Sequence, residues 1–310
     1  MSADADARFD RATGALLGLA VGDAIGTTLE FRWPRDSYPH ITDMVGGGPF
    51  DLKPGGWTDD TSMALALADS LESTPKFDEK DLLTRFVAWW RRGHYSHTGI
   101  CFDIGMTTRA ALARFEETGA PHCGSPHPDA AGNGSLMRLA PVAMCFHADR
   151  ARLVDIAARQ SMTTHAAPEA ISACVAFAEV LADGIEGRHK DEVLRARVGD
   201  YAGTIAPIMA GGWRALTRET VGSSGYVAHS LAAALWCVER TPNYHDAVLL
   251  AANLGDDADT TAAIAGQLAG ALYGASGIPE KWIARLAWSD AIRATAERLA
   301  HSSCRARQSK

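Results

Sequence analysis

The 310-residue chain carries 30 Lys and Arg against 37 Asp and Glu, a formal net charge of −7 with His neutral. That balance excludes a surface built to neutralise a nucleic-acid backbone, and the length suffices for one substantial core. Six cysteines without short paired spacing and an N-terminus without signal-peptide character lead us to expect a reduced cytoplasm, and the apolar run at 262–275, broken by Gln267, leads us to expect no membrane span.

Residues 1–8 read as an N-terminal tail, with the folded domain starting at Phe9. Over 9–26, Gly14, Gly18, Gly22 and Gly26 recur every fourth position among Leu16, Leu17, Leu19 and Val21. Glycine costs about 1 kcal/mol at an interior helix position, so a row of this kind marks close approach by another element. Asp23 and Glu30 follow on the same stretch. The glycine- and proline-rich segment Gly46 to Gly56 has no periodicity and reads as a mobile flap. Helices are expected over 60–72 and 79–92, the second with Leu82, Leu83, Phe86, Val87 and Trp90 on one face.

A polar loop from His94 to Gly105, containing Asp103, enters a helix near Thr107. His94 and His97, three residues apart, read as ordinary loop histidines. His122, Cys123, His127 and Asp129 share one loop, but their spacing matches no structural zinc pattern. Gly132-Asn133-Gly134-Ser135 is a small-residue turn expected to feed a helix, whose free N–H groups would seat a phosphate. Ala-rich helices are expected over 149–160, 166–183, 189–213, 226–240 and 243–252, with Ser161 to His165 and Gly222 to Tyr226 as N-caps. An acidic helix follows, then two more to about residue 301 and a basic tail over 303–310. With alternating patterns nearly absent and no shift in composition, 9–302 reads as a single all-α domain, a compact multi-helix orthogonal bundle.

Two acidic stretches open apolar helices: Thr58-Asp59-Asp60-Thr61, and Asp256-Asp257-Ala258-Asp259-Thr260 ahead of Ala262, Ile264 and Leu268. Helix capping accounts for either alone. Two of them, with no Lys or Arg inside either, point to a shared metal site, and the all-oxygen donors select hard ions. It is not an EF-hand, because a loop begun at Asp257 puts Ala262 at the turn glycine and Leu268 at the bidentate glutamate. Gly266, Gly270 and Gly274 repeat the spacing of the N-terminal glycines, which implies that the two glycine helices are buried neighbours.

Gly22-Asp23-Ala24, Thr58 to Thr61, the Thr98 to Gly105 loop, Gly132 to Arg138, Thr164-His165 and Gly255 to Thr260 together resemble the ADP-ribosylglycohydrolases, especially the bacterial dinitrogenase reductase-activating branch, over about residues 10–275. The resemblance implies an all-α fold whose cleft holds two Mg²⁺ or Mn²⁺ ions and ADP-ribose. By motif, Thr58, Asp59, Asp60, Asp257, Asp259 and Thr260 are the implied metal ligands, and Asp256 stands where many members have glycine. Glu30 matches the family's glutamate near the metals. Gly132, Asn133, Gly134, Ser135, His165 and Tyr226 would line the nucleotide side. Glu30 or Asp60 would relay protons, and Asp103 would receive the leaving group. The implied activity is hydrolysis of the N-glycosidic bond of ADP-ribosyl-arginine on a modified protein. The alternatives are a catalytically idle ADP-ribose sensor and a hydrolase of O-linked adducts (serine or O-acetyl).

Overall fold

The computed structural model describes residues 3–33, 35–74 and 76–308. In chain order the helices are α1 (Ala3–Gly26), α2 (Asp59–Ser73), α3 (Glu79–Arg92), α4 (Met106–Thr118), α5 (Ala140–Phe146), α6 (Arg150–Met162) and α7 (Pro168–Ile185). They continue with α8 (Lys190–Val193), α9 (Ile205–Met209), α10 (Val227–Glu239), α11 (Tyr244–Ala252), α12 (Ala258–Tyr273), α13 (Glu280–Arg285) and α14 (Ser289–Gln308). No strand occurs among the described residues, only three isolated bridges, so the all-α expectation holds. From Ala3 onward the stretch read as a tail is the start of α1, and α14 runs on to Gln308 through most of the basic segment.

The glycine rows decide how the centre is built. α1 and α12 share the largest helix–helix interface in the molecule. A Cβ placed on Gly18 would sit 2.3 Å from the Gly266 carbonyl oxygen, one on Gly22 2.2 Å from that of Ala262, and one on Gly270 1.9 Å from that of Gly14. The two backbones therefore touch, running antiparallel, and any side chain at these positions would push them apart. Tyr244, fully buried in α11, donates its hydroxyl to the Gly18 carbonyl at 2.7 Å. The segment Ala3–Leu29 is long and apolar enough to cross a membrane, more so than the 262–275 run, and 94% of its apolar window is buried inside the fold.

One expected helix is absent. Residues 189–213 break into the short α8 and α9, because Gly203 adopts a left-handed φ of +49° and Gly211 one of +101°, neither compatible with a continuous helix. The Gly46 to Gly56 segment is anchored rather than loose: Gly47 and Leu52 exchange two backbone bonds at 2.7 and 3.0 Å, and Thr28 Oγ1 donates to the Gly46 carbonyl at 3.1 Å.

Candidate functional site

The antiparallel contact of α1 and α12 places the C-terminal end of α1 against the N-terminal end of α12, and α2 starts at the same level. Asp23, fully buried in α1, is the joint. Its carboxylate accepts from the Thr58 amide at 2.9 Å, the Thr58 hydroxyl at 3.0 Å, the Thr61 amide at 3.0 Å and the Thr61 hydroxyl at 2.6 Å. It thus satisfies the N–H groups at the mouth of α2 from outside that helix, the task usually left to an N-cap side chain. Asp59 and Asp60 are then free of capping duty. The motifs alone assign Asp23 no role, yet a lone carboxylate in a glycine-lined apolar stripe is the available signal.

Glu30 does the same for α12, its Oε2 accepting from the amides of Ala258 at 2.7 Å and Asp259 at 3.3 Å. Its loop is stapled to the acidic one by Phe31 N–H to the Asp256 carbonyl at 2.7 Å and Asp256 N–H to the Arg32 carbonyl at 2.9 Å. Phe31 and Asp256 both hold φ of 61°. Asp256 thus serves the backbone, and the charges acting on its carboxyl are Arg35 and His229 rather than the acids of the cluster.

Around these two anchors the acidic motifs meet. The Thr58 hydroxyl lies 3.4 Å from Asp60 Oδ2 and 3.3 Å from Asp259 Oδ2, and the Thr260 hydroxyl donates to Asp60 Oδ2 at 3.3 Å. Carboxylate oxygens of Glu30, Asp257 and Asp259 lie within 4.8 Å of one another. Glu30 thus groups with the implied metal ligands, whereas its motif marks it only as a proton carrier near them. Half-buried Asp103 also faces the cluster, where the charges of Asp59 and Asp259 act on its carboxyl; its φ of 59° is one that aspartate tolerates better than most residues.

The electrostatics are one-sided. Burial and then Asp259 and Asp257 push the Glu30 carboxyl far above the usual range. Burial and then Asp59 push Asp103 up to about 11, and burial with Asp259 takes Asp257 to about 7. Asp59 and Asp60 are raised well above their ordinary values by burial and by neighbouring carboxylates. The charges acting most strongly on these groups are one another's, with no Lys or Arg among them. Asp60 Oδ1, moreover, is buried with no hydrogen-bond partner. A buried carboxylate oxygen costs free energy unless something pairs with it. An all-oxygen donor set with an orphaned buried atom, in which the mutual repulsion of the carboxylates outweighs the buried Arg138 acting on Asp59, therefore fits a hard divalent cation.

The nucleotide-side expectations separate. Asn133 reaches the cluster, its Nδ2 donating to Asp257 Oδ2 at 2.7 Å and to Ser230 Oγ at 2.8 Å. Gly132 and Gly134 lie against the His165 ring, and a Cβ on Gly134 would meet its Cε1 at 2.7 Å. His165 is buried, its Nδ1 2.8 Å from the Thr164 hydroxyl, which in turn accepts from the buried Arg138 at 2.9 Å. The ring thus shapes the glycine turn from behind. Tyr226 donates to Glu169 at 2.5 Å beside a cavity lined also by Asp129, Gly132 and Gly225. Two expectations are corrected. Ser135 is fully buried, bonded to Ser161 Oγ at 2.7 Å, and so belongs to the core rather than to a ligand surface. The 132–135 turn does not open a helix, since further turns intervene before α5 at Ala140; its amides are not a helix-mouth phosphate seat.

The remaining candidates are elsewhere. The His97 ring nitrogen Nε2 is 3.0 Å from the Trp57 carbonyl and steadies the approach to Thr58. Cys123 is buried and donates to the Ala120 carbonyl at 3.2 Å, while His122 lies 3.6 Å from Glu79, so that loop gathers no metal site among the described residues.

Residues 4–309 match the sequence profile of the ADP-ribosylglycohydrolases. The chain is 49% identical over 291 residues to the ADP-ribosylarginine hydrolase Tri1 of Pseudomonas putida, covering 94% of this chain and 78% of that protein. It is 33% identical over 284 residues to the ADP-ribosyl-[dinitrogen reductase] glycohydrolase of Rhodospirillum rubrum, covering 89% and 90%. A solved structure described as an ADP-ribosylglycohydrolase-related protein complex superposes with a TM-score of 0.86 at 39% identity, over 96% of this chain and 99% of that one. The acidic cluster at the α1–α12 contact is thus carried by a chain that belongs to the ADP-ribosylglycohydrolase family.

Proposed function

We propose that this chain is a metal-dependent hydrolase that releases ADP-ribose from arginine-linked adducts on proteins. The convergence of Thr58, Asp59, Asp60, Asp257, Asp259 and Thr260 into one oxygen-lined cluster with an unpartnered buried Asp60 Oδ1 carries the reading. The near-half identity to an ADP-ribosylarginine hydrolase supports the linkage.

Those six residues would hold Mg²⁺ or Mn²⁺, two ions in this reading. Bound there, the metal supplies a Lewis acid for the ribose hydroxyls and an activated water. The chain's own groups do the rest. Asn133 fixes Asp257, and the 132–134 turn, shaped by His165, bounds the nucleotide side together with Tyr226. Glu30, held at Oε2 by two amides, keeps its other oxygen for a proton and serves as the relay. Asp103 receives the planar guanidinium of the leaving arginine, since a carboxylate matches it in charge and in paired donors.

The test is the appearance of free ADP-ribose from ADP-ribosyl-arginine with Mg²⁺, with Mn²⁺ or with chelator. Turnover with metal and none with chelator is expected. Undiminished turnover in chelator would remove the metal from the reading, and tight ADP-ribose binding without turnover in either metal would make the chain a sensor.

A further inference from the structure

Three aromatic rings stand in a row, two of them next in sequence to Glu30 and Asp103 of the acidic cluster, and the chemistry derived above uses none of them. Phe31 follows Glu30, Phe102 precedes Asp103, and Phe50 comes from the anchored 46–56 loop between them. The Phe31 and Phe50 centroids are 6.4 Å apart with planes at 70°, and those of Phe50 and Phe102 are 5.3 Å apart at 57°. The row joins the interior through His97, whose ring lies 6.4 Å from Phe102 and 4.6 Å from Trp57.

Phe31 is held against two ordinary preferences at once. It is 65% exposed, and its φ of 61° is one that a bulky residue rarely adopts. Neither feature helps the core. The two bonds between the 31–32 and 256 backbones impose the conformation, and its effect is to turn the ring outward beside Glu30. An aromatic face with carboxylates close by is a place for a cation with an apolar stem: the ring quadrupole attracts the charge, and the ring edges cover the methylenes. Arginine meets that description better than lysine, because its guanidinium is flat and stacks.

We infer that Phe31, Phe50 and Phe102 form the seat for the modified arginine itself, stacking its guanidinium and stem so that the scissile bond points into the cluster and the charge toward Asp103. The inference rests on the arginine-linked reading and adds to it the residues that select that leaving group by stacking. A serine or acetyl leaving group has neither the cation nor the long stem and gains nothing from the row.

The test uses the full chain carrying Phe50→Leu, Phe102→Leu and both together, which keep apolar bulk and remove the ring, with Phe50→Trp as the variant that strengthens it. Steady-state rates are measured on ADP-ribosyl-arginine, with inhibition by free ADP-ribose as the readout lacking a guanidinium, and melting temperature as the check on folding. Each single leucine variant is expected to raise KM for ADP-ribosyl-arginine about 3- to 10-fold and the double about 10- to 50-fold, the range two partly desolvated cation–π contacts span. The inhibition constant of ADP-ribose should stay within about twofold, and Phe50→Trp should match or improve on the parent. An unchanged KM in the folded double variant overturns the inference. So does an equal loss of affinity for free ADP-ribose, which would make the rings part of the nucleotide side. A parent enzyme that releases nothing from ADP-ribosyl-arginine in either metal overturns instead the arginine reading beneath it.

Discussion

At the scale of single residues, most of the site's order comes from groups that do not carry its chemistry. Asp23 accepts four donors from the mouth of α2 while itself pushed up to about 7 by burial and by Asp259. Replacing it with alanine strands two amides and two hydroxyls in a dry interior, at about 1 to 3 kcal/mol for a stranded group, partly relieved by relaxation. Asp23→Ala should therefore lose about 3 kcal/mol in urea denaturation, and with it the upward shift of melting temperature on adding Mg²⁺; a variant that keeps that shift would detach Asp23 from the site. His165 makes a second, pH-dependent case. Burial, and then Arg138, lower its pKa from 6.5 to about 3. Between those values the unfolded chain takes up a proton that the folded chain refuses. The His165 contribution is thus intact above pH 6.5 and is lost as pH falls toward 3. By pH 5 the loss amounts to about 2 kcal/mol. His165→Gln should be less sensitive than the parent to acidification from pH 7 to 5, and parallel stability curves would refute the buried neutral ring.

At the scale of elements, the helices with strong periodicity are legible in the sequence, and so is the pairing of the two glycine rows. α3 and α11 fall within a residue of their expected bounds because an acid or amide caps the start of each, Asp78 and Asn243. Residues 189–213 depart from expectation because their Ala and Arg content outweighs Gly203 and Gly211, whose left-handed backbone only the folded chain reveals. The 132–135 turn departs for a related reason: small residues signal a tight chain path and are silent on the type of the next element. The α1–α12 contact makes its own prediction. With carbonyl oxygens within 2.3 Å of where a Cβ would be, Gly18→Leu and Gly270→Leu should each cost at least the 1 to 3 kcal/mol typical of overpacking. Because both act by prising apart the same two backbones, the double variant should lose less than the sum. Additive losses in a thermodynamic cycle would contradict a single shared contact.

At the scale of the molecule, the fold delivers carboxylates from α1, α2 and α12, and from the loops at Glu30 and Asp103, to one place. The sequence motifs show which acids belong together, but not that Asp23 relieves Asp59 and Asp60 of capping α2, or that Glu30 takes the first two amides of α12 while Asp259 takes the next. The cluster is costly without a cation, so metal should stabilise the whole chain. Asp259→Ala should abolish turnover together with the metal-dependent rise in melting temperature, since Asp259 is the carboxylate that neighbours nearly every other acid in the site. In the proposed function this cluster, with Asp103 at its edge, hydrolyses the arginine linkage. The direct measurement is the release of ADP-ribose from arginine-linked and serine-linked adducts, side by side, by the parent and by Asp103→Ala in Mg²⁺. The parent should cleave the arginine adduct well above the serine adduct, and Asp103→Ala should lose that activity while still binding free ADP-ribose. Equal rates on the two linkages, or a fully active Asp103→Ala enzyme, would contradict it.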